Sequence, residues 1–130
     1  MEYDESKAIR LTIPADASWV LAVRMALAGA GALMGLSVDL LDDLRSAADE
    51  ACDCLLHQPR QIRSIDVLCR LEGGIVHTVF SCQWGSAAQD NAEWDIAVTK
   101  SILETLVPYV MLKTDGTGIW EIDLKLPVSA

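Results

Sequence analysis

Positive charge is the first thing this sequence is short of: ten Lys and Arg stand against nineteen Asp and Glu, a formal net charge of -9 over 130 residues. A chain so acidic has no basic footprint for a nucleic-acid backbone and nothing to dock on anionic lipid. It suits solubility, or a protein partner with a basic face. Long apolar runs are also missing. Met25 to Leu36 covers about half of a membrane span and carries Gly29, Gly31 and Gly35. The first residues, Met1-Glu2-Tyr3-Asp4-Glu5, are acidic where a secretory signal is basic, so a cytoplasmic chain is expected. No C-x2-C pair occurs among Cys52, Cys54, Cys69 and Cys82. Cys52 and Cys54, two apart in an expected helix, point roughly 200° apart and cannot share one metal. They are read as reduced core thiols, neither disulfide-bonded nor metal-bound. A G-x-S-x-G elbow is absent too, and with it an assembled Ser/His/Asp nucleophile.

What is there suits one domain, 1-130, with 52% hydrophobic residues to fill a core. Ile9, Leu11 and Ile13 alternate with Arg10 and Thr12, a strand that Pro14 ends. Asp16 or Ser18 caps a helix bearing Val20, Val23, Ala26, Leu27 and Ala30, with Arg24 inside it and Gly35 at its end. Ser37 caps a second helix, with Leu40, Leu41, Leu44, Ala47, Ala48, Ala51 and Leu55 as its stripe and Pro59 as its bound.

Ile65 to Leu71, the turn Glu72-Gly73-Gly74 and Ile75 to Cys82 read as a hairpin. Gln83 to Glu93 reads as a polar loop. Trp94 opens a third helix, with Val98, Ile102, Leu103 and Leu106 on one side and Pro108 closing it. Tyr109 to Lys113 is a short strand and Asp115-Gly116-Thr117-Gly118 a turn. In the last strand Trp120, Ile122, Leu124 and Leu126 are expected to face the helices, and Glu121, Asp123 and Lys125 solvent. The order β-α-α-β-β-α-β-β specifies an α+β fold: a two-layer α/β sandwich, its mixed sheet covered on one face by three helices.

This order, with Asp43-Leu44-Arg45-Ser46-Ala47-Ala48-Asp49-Glu50-Ala51-Cys52 in the second helix, resembles the GHKL (histidine-kinase-like) ATPase fold. Within that fold it is similar to the bacterial anti-sigma-factor serine kinases, which read D-x-x-x-A-x-x-E-A-x-x-N in that helix. Val23-Arg24, Gly35-Leu36 and the ending Gly118 through Pro127 resemble the same family. The resemblance implies ATP with Mg2+ as cofactors where the pocket survives. It implies a protein partner, a sigma factor or an anti-anti-sigma protein, and a homodimer, which is common in the family. Glu50 matches the family's general base, which polarises the serine hydroxyl of a protein substrate or a water.

The departures lie in the nucleotide site. Cys54 stands where the family has a Mg2+-binding asparagine, and a thiol is a poor ligand for an ion that wants hard oxygens. Asp53 is adjacent but roughly 100° away around the helix. Gln58 stands where a histidine is frequent, with His57 one residue early. Ser81-Cys82-Gln83-Trp84-Gly85 replaces the adenine-reading D-x-G-x-G, leaving Gly85 as the sole glycine of a short lid. Asp90 and Asp95 are the candidates to substitute for the missing aspartate, but neither stands in the family's context. The candidate site is therefore Glu50 as catalytic base and Asp53, Cys54, His57 and Gly85 around the nucleotide, with no resident metal site.

Bland readings stand beside these. Glu50 is equally a solvated helix acid between Asp49 and Asp53, and Asp53 with His57 an exposed pair one turn apart. Trp84 and Trp94 stack on a ligand or pack in the core. The sequence supports two functions: a kinase-like regulator that binds a sigma factor or its antagonist, and a GHKL-fold interaction module without nucleotide chemistry.

Overall fold

Alternating side chains decide which face of each strand turns inward, and helical stripes decide what covers it. The computed structural model describes residues 7–88, 94–115 and 117–129. Strand β1 (Ala8–Pro14) leads through a 3-10 turn (Ala17–Trp19) into helices α1 (Val20–Met34) and α2 (Val38–His57). Strands β2 (Arg60–Glu72) and β3 (Ile75–Ala88) form the hairpin, and α3 (Ile96–Leu106) precedes β4 (Tyr109–Thr114) and β5 (Ile119–Pro127). The strands form one sheet in the order β1-β2-β3-β5-β4.

Local chemistry sets the boundaries. Asp16 accepts the N–H of Ser18 at 2.9 Å to start the 3-10 turn, and Ser37 accepts the N–H of Leu40 at 3.3 Å to start α2. Gly35 ends α1 with φ at 102°, a left-handed conformation that costs glycine little. Gly73 and Gly74 both have positive φ, 58° and 76°, as a two-residue hairpin turn requires. The core lies between sheet and helices. Val23 and Leu27 of α1, Leu44, Ala47, Ala48, Ala51 and Leu55 of α2 and Leu103 of α3 meet Ile13, Ile65, Val67, Phe80, Ile122 and Leu124. Each large side chain so buried contributes about 1.5–3 kcal/mol.

Five expectations need correction. The sheet is antiparallel at every pairing, not mixed. β3 and β4 do run in the same direction, but β5 is inserted between them, so no parallel neighbours arise. Strand β3 runs on to Ala88, so the Gln83 to Glu93 loop shrinks from its N-terminal side; its residues 89–93, Asp90 included, lie outside the described residues, as do Met1 to Glu5 and Gly116.

Helix α3 begins at Ile96, with Asp95 rather than Trp94 at its start. It buries Thr99 and Leu103, leaving Val98 and Ile102 exposed. Thr99 takes the inward place, beside Glu50 and Cys54 on the cavity wall. Ile122, Leu124 and Leu126 are buried as expected, but Trp120 is 39% exposed and Ile119 fully buried. The pairing slips there: Lys113 faces Glu121 while Thr114 faces Ile119, and Trp120 is the extra residue of a bulge that reverses the alternation.

Candidate functional site

Helix α2 places one acid or polar side chain per turn along its flank toward α3. Glu50, Asp53, Cys54 and His57 all line a cavity of about 370 Å3, closed on the other side by Trp94, Asp95, Val98 and Thr99. Four of the five site residues read from the sequence thus share one cavity. Gly85 is not among its lining. It sits in β3 against the irregular stretch of β2, where an added Cβ would approach the carbonyl oxygen of Gln61 to 3.3 Å. The wall facing α2 is the start of α3 rather than the strand residues from Gln83 onward.

The cavity is acidic. Among the described residues Glu50, Asp53 and Asp95 supply three carboxylates to its lining, and the one basic side chain there is His57. His57 Nδ1 lies 3.1 Å from Asp53 Oδ1 and 2.9 Å from the Asp53 carbonyl oxygen. Burial raises the carboxyl pKa of Glu50 above its ordinary value and the charge of Asp53 adds to the shift, while a hydrogen bond from Thr99 opposes both. The Cys54 thiol is also raised by burial and therefore stays protonated. Trp94 is fixed by its indole N–H, which donates to the Cys54 carbonyl at 3.2 Å.

The N-terminus of α3 opens on this cavity, and backbone N–H groups in that position can hold phosphate. Here they are taken: Asp95 Oδ1 accepts the N–H of Ala97 at 2.9 Å and of Val98 at 3.4 Å. A carboxylate therefore stands where a phosphate oxygen would. Among the described residues no Lys or Arg lines the cavity, and Cys54 offers sulfur where Mg2+ wants oxygen. Among the described residues the lining does not fit ATP with Mg2+. A metal ion fares no better, since no group of three or more His, Cys, Asp or Glu among the described residues is arranged to hold one.

Three residues singled out in the sequence have other work. Gln58 is fully buried: its Oε1 accepts the Ile119 N–H at 3.0 Å, and its Nε2 donates to the Leu55 carbonyl at 3.1 Å. It ties the end of α2 to β5 and does not reach the cavity. Trp84 donates to the Ile119 carbonyl at 3.1 Å, carries the Arg60 guanidinium 4.0 Å over its ring and meets Trp120 edge-on. Asp115 accepts the N–H and hydroxyl of Thr117, an Asx turn. All four cysteines are free. The lining residues missed in the sequence, Val98 and Thr99, follow from the helix register, one turn beyond the Asp95 cap.

No family model matches the chain, and no curated protein matches it. Among solved structures it is similar to the RsbU and RsbW domains of Rv1364c from Mycobacterium tuberculosis, with a TM-score of 0.71 and 20% sequence identity. The likeness covers 93% of this chain and 32% of that one, so the chain spans about a third of its length. At that identity the likeness concerns the fold alone, an α+β sandwich with one antiparallel five-stranded sheet.

Proposed function

We propose that the chain is a partner-switching regulator that binds a sigma factor or its antagonist by protein contact, without nucleotide chemistry. The likeness to a structure containing an RsbW domain supports the regulatory part. The observation that carries the second part is the cavity: Glu50, Asp53 and Asp95 line it, and Asp95 closes the α3 amides. Each carboxylate repels a triphosphate, and the net charge of -9 adds long-range repulsion.

Calorimetry with ATP and Mg2+ tests this directly. Binding is expected in the millimolar range or weaker, above about -4 kcal/mol. Micromolar binding overturns the reading. Purified sigma factors and their antagonists from the same organism then supply the positive arm, and capture of one of them by this chain without nucleotide is the expected result.

A second reading, a serine kinase of the anti-sigma type, has one observation in its favour. Glu50 lies on the cavity wall, hydrogen-bonded by Thr99 and with its pKa raised by burial, as a general base requires. If transfer of phosphate from ATP to a partner serine is detected, Glu50→Gln decides it. Loss of transfer with the fold retained assigns the base; retained transfer removes Glu50 from that role.

A further inference from the structure

The cavity between α2 and α3 has a floor and a rim. Cys54 and Thr99 form the floor, 3% and 7% exposed. Asp53, His57, Asp95 and Val98 form the rim and are exposed, with Glu50 and Trp94 partly buried on the walls between. At about 370 Å3 it lies near the small end of ligand pockets, which run from roughly 300 to 1,000 Å3. Carboxylates reach it from both sides, Glu50 and Asp53 on α2 and Asp95 at the start of α3. The nearby bases are engaged elsewhere. Arg24 of α1 pairs with Asp49 and Arg45 of α2 with Asp42, while Lys100 of α3 is exposed and outside the lining. Burial disfavours the Glu50 carboxylate and the charge of Asp53 adds to the cost. A cation entering from the rim relieves both effects.

We propose that this cavity receives an arginine side chain of the protein partner. The inference rests on the partner-binding reading above and names the contact through which that binding is made. A guanidinium suits the lining better than a metal ion. No group of three or more His, Cys, Asp or Glu among the described residues is arranged to hold an ion, so a compact cation is left short of ligands. The guanidinium is planar and carries five donors in a rigid fork, which can serve carboxylates on the α2 wall and the α3 wall together. Its face stacks on an indole. Trp94 supplies one, held in the wall by the bond from its N–H to the Cys54 carbonyl at 3.2 Å.

The surroundings of the rim say that the cation is carried by a protein and is not free in solution. Val98 at the rim is 53% exposed, and Ile102, one turn further along α3, is 38% exposed. A free amine gains nothing from this apolar surface. A protein surface covers it, and in doing so shuts water out of the cavity. Anchoring side chains at protein interfaces sit in just such a setting, an arginine or aromatic group in a pocket with less energetic contacts around it that exclude water. Asp53 and His57 are joined at the rim, Nδ1 to Oδ1 at 3.1 Å, so an incoming guanidinium meets the Asp53 carboxylate already placed.

The cavity is tested first without any partner. The probe is N-acetylarginine N-methylamide, and its control is the citrulline analogue, which keeps the shape and lacks the charge. In an NMR titration the arginine probe is expected to shift the Trp94 indole N–H and the Ala97 and Val98 amides at millimolar concentration, and the citrulline probe to leave them. Glu50→Gln combined with Asp53→Asn is expected to weaken the probe about tenfold or more. Asp39→Asn combined with Asp43→Asn removes the same charge from α2 outside the cavity and is expected to change little. No shift at about 100 mM arginine probe overturns the proposal, as do equal shifts with both probes. The second arm uses the sigma factor or antagonist that the wild type captures. Its dissociation is expected to be about tenfold faster from the cavity double variant, while the surface pair alters association alone. A partner that leaves both double variants at the wild-type rate overturns the proposal and spares the partner reading. Probe binding with no partner captured sinks the partner reading, and the assignment to a protein-borne arginine falls with it. Should the cavity double variant lose its circular dichroism, Asp53→Asn alone decides, since that side chain is exposed; wild-type binding of probe and partner by it is a refutation.

Discussion

Gln58→Leu is expected to destabilise the protein by roughly 2–4 kcal/mol although it touches no part of the cavity. Leucine keeps most of the volume, so little packing is lost. What is lost is the acceptor of the Ile119 N–H and the donor to the Leu55 carbonyl, both at a residue with no exposed surface. A buried backbone group left without a partner costs about 1–3 kcal/mol, and two are orphaned at once. For a chain of this length that lowers the melting temperature by roughly 10 °C. Equilibrium unfolding in urea, followed by circular dichroism and by intrinsic tryptophan fluorescence, measures it. A loss below about 0.5 kcal/mol would refute the reasoning, because it would mean that water already reaches these groups.

Gln58→Glu separates the two bonds. It keeps an acceptor for Ile119 but buries a carboxyl whose folded pKa then lies above its unfolded value. Its cost is absent below the unfolded value and complete above the folded one, so Gln58→Glu is expected to be less stable at pH 8 than at pH 4 relative to wild type.

Gly118→Ala is expected to cost about 1–3 kcal/mol, because its Cβ would stand 2.6 Å from Gln58 Oε1; urea unfolding checks it. Asp123 has its pKa raised to about 6 by burial and by the neighbouring Glu121 carboxylate. With the folded value above the unfolded one, its ionisation opposes folding, and stability falls as pH rises from about 4 to 6. Asp123→Asn is therefore expected to raise the melting temperature at pH 8 and leave it unchanged near pH 4. Burial pushes the Cys52 thiol up to about 12 and Cys82 up to about 11. A thiol-reactive dye at pH 7.5 is expected to label the folded protein far more slowly than the urea-unfolded chain, in which all four thiols react.

The layers were legible because their determinants are local and agree with one another. Ser37, Gly35 and the Gly73-Gly74 pair each place a boundary through their own backbone chemistry, and the period-two runs in β1, β2 and β5 fix which side is buried. What failed was non-local. Nothing in the composition of β5 announces that it inserts between β3 and β4, and the bulge at Trp120 arises from its pairing with β4. The pattern around Gln83 to Ala88 is polar enough to read as loop, yet pairing with β2 holds it as strand.

The cavity was legible for a different reason. Glu50, Asp53, Cys54 and His57 lie on one helix, where spacing alone brings side chains three and four apart together. Gly85, assigned by analogy of position after a strand, fell away because the strand did not end where the analogy needed it to. Asp95 was weighed as a stand-in for an adenine-reading acid, and its work is instead to cap α3. That cap turns an absence into an argument. A missing cation could be supplied by a partner, but amides already bonded to their own carboxylate must lose those bonds before they can hold a phosphate. Asp95→Ala therefore separates the readings. If the cap is what keeps nucleotide out, the variant gains measurable affinity for ATP with Mg2+ by calorimetry while losing about 1 kcal/mol of stability with its helix cap. Unchanged weak binding would place the exclusion on Glu50, Asp53 and Cys54 instead.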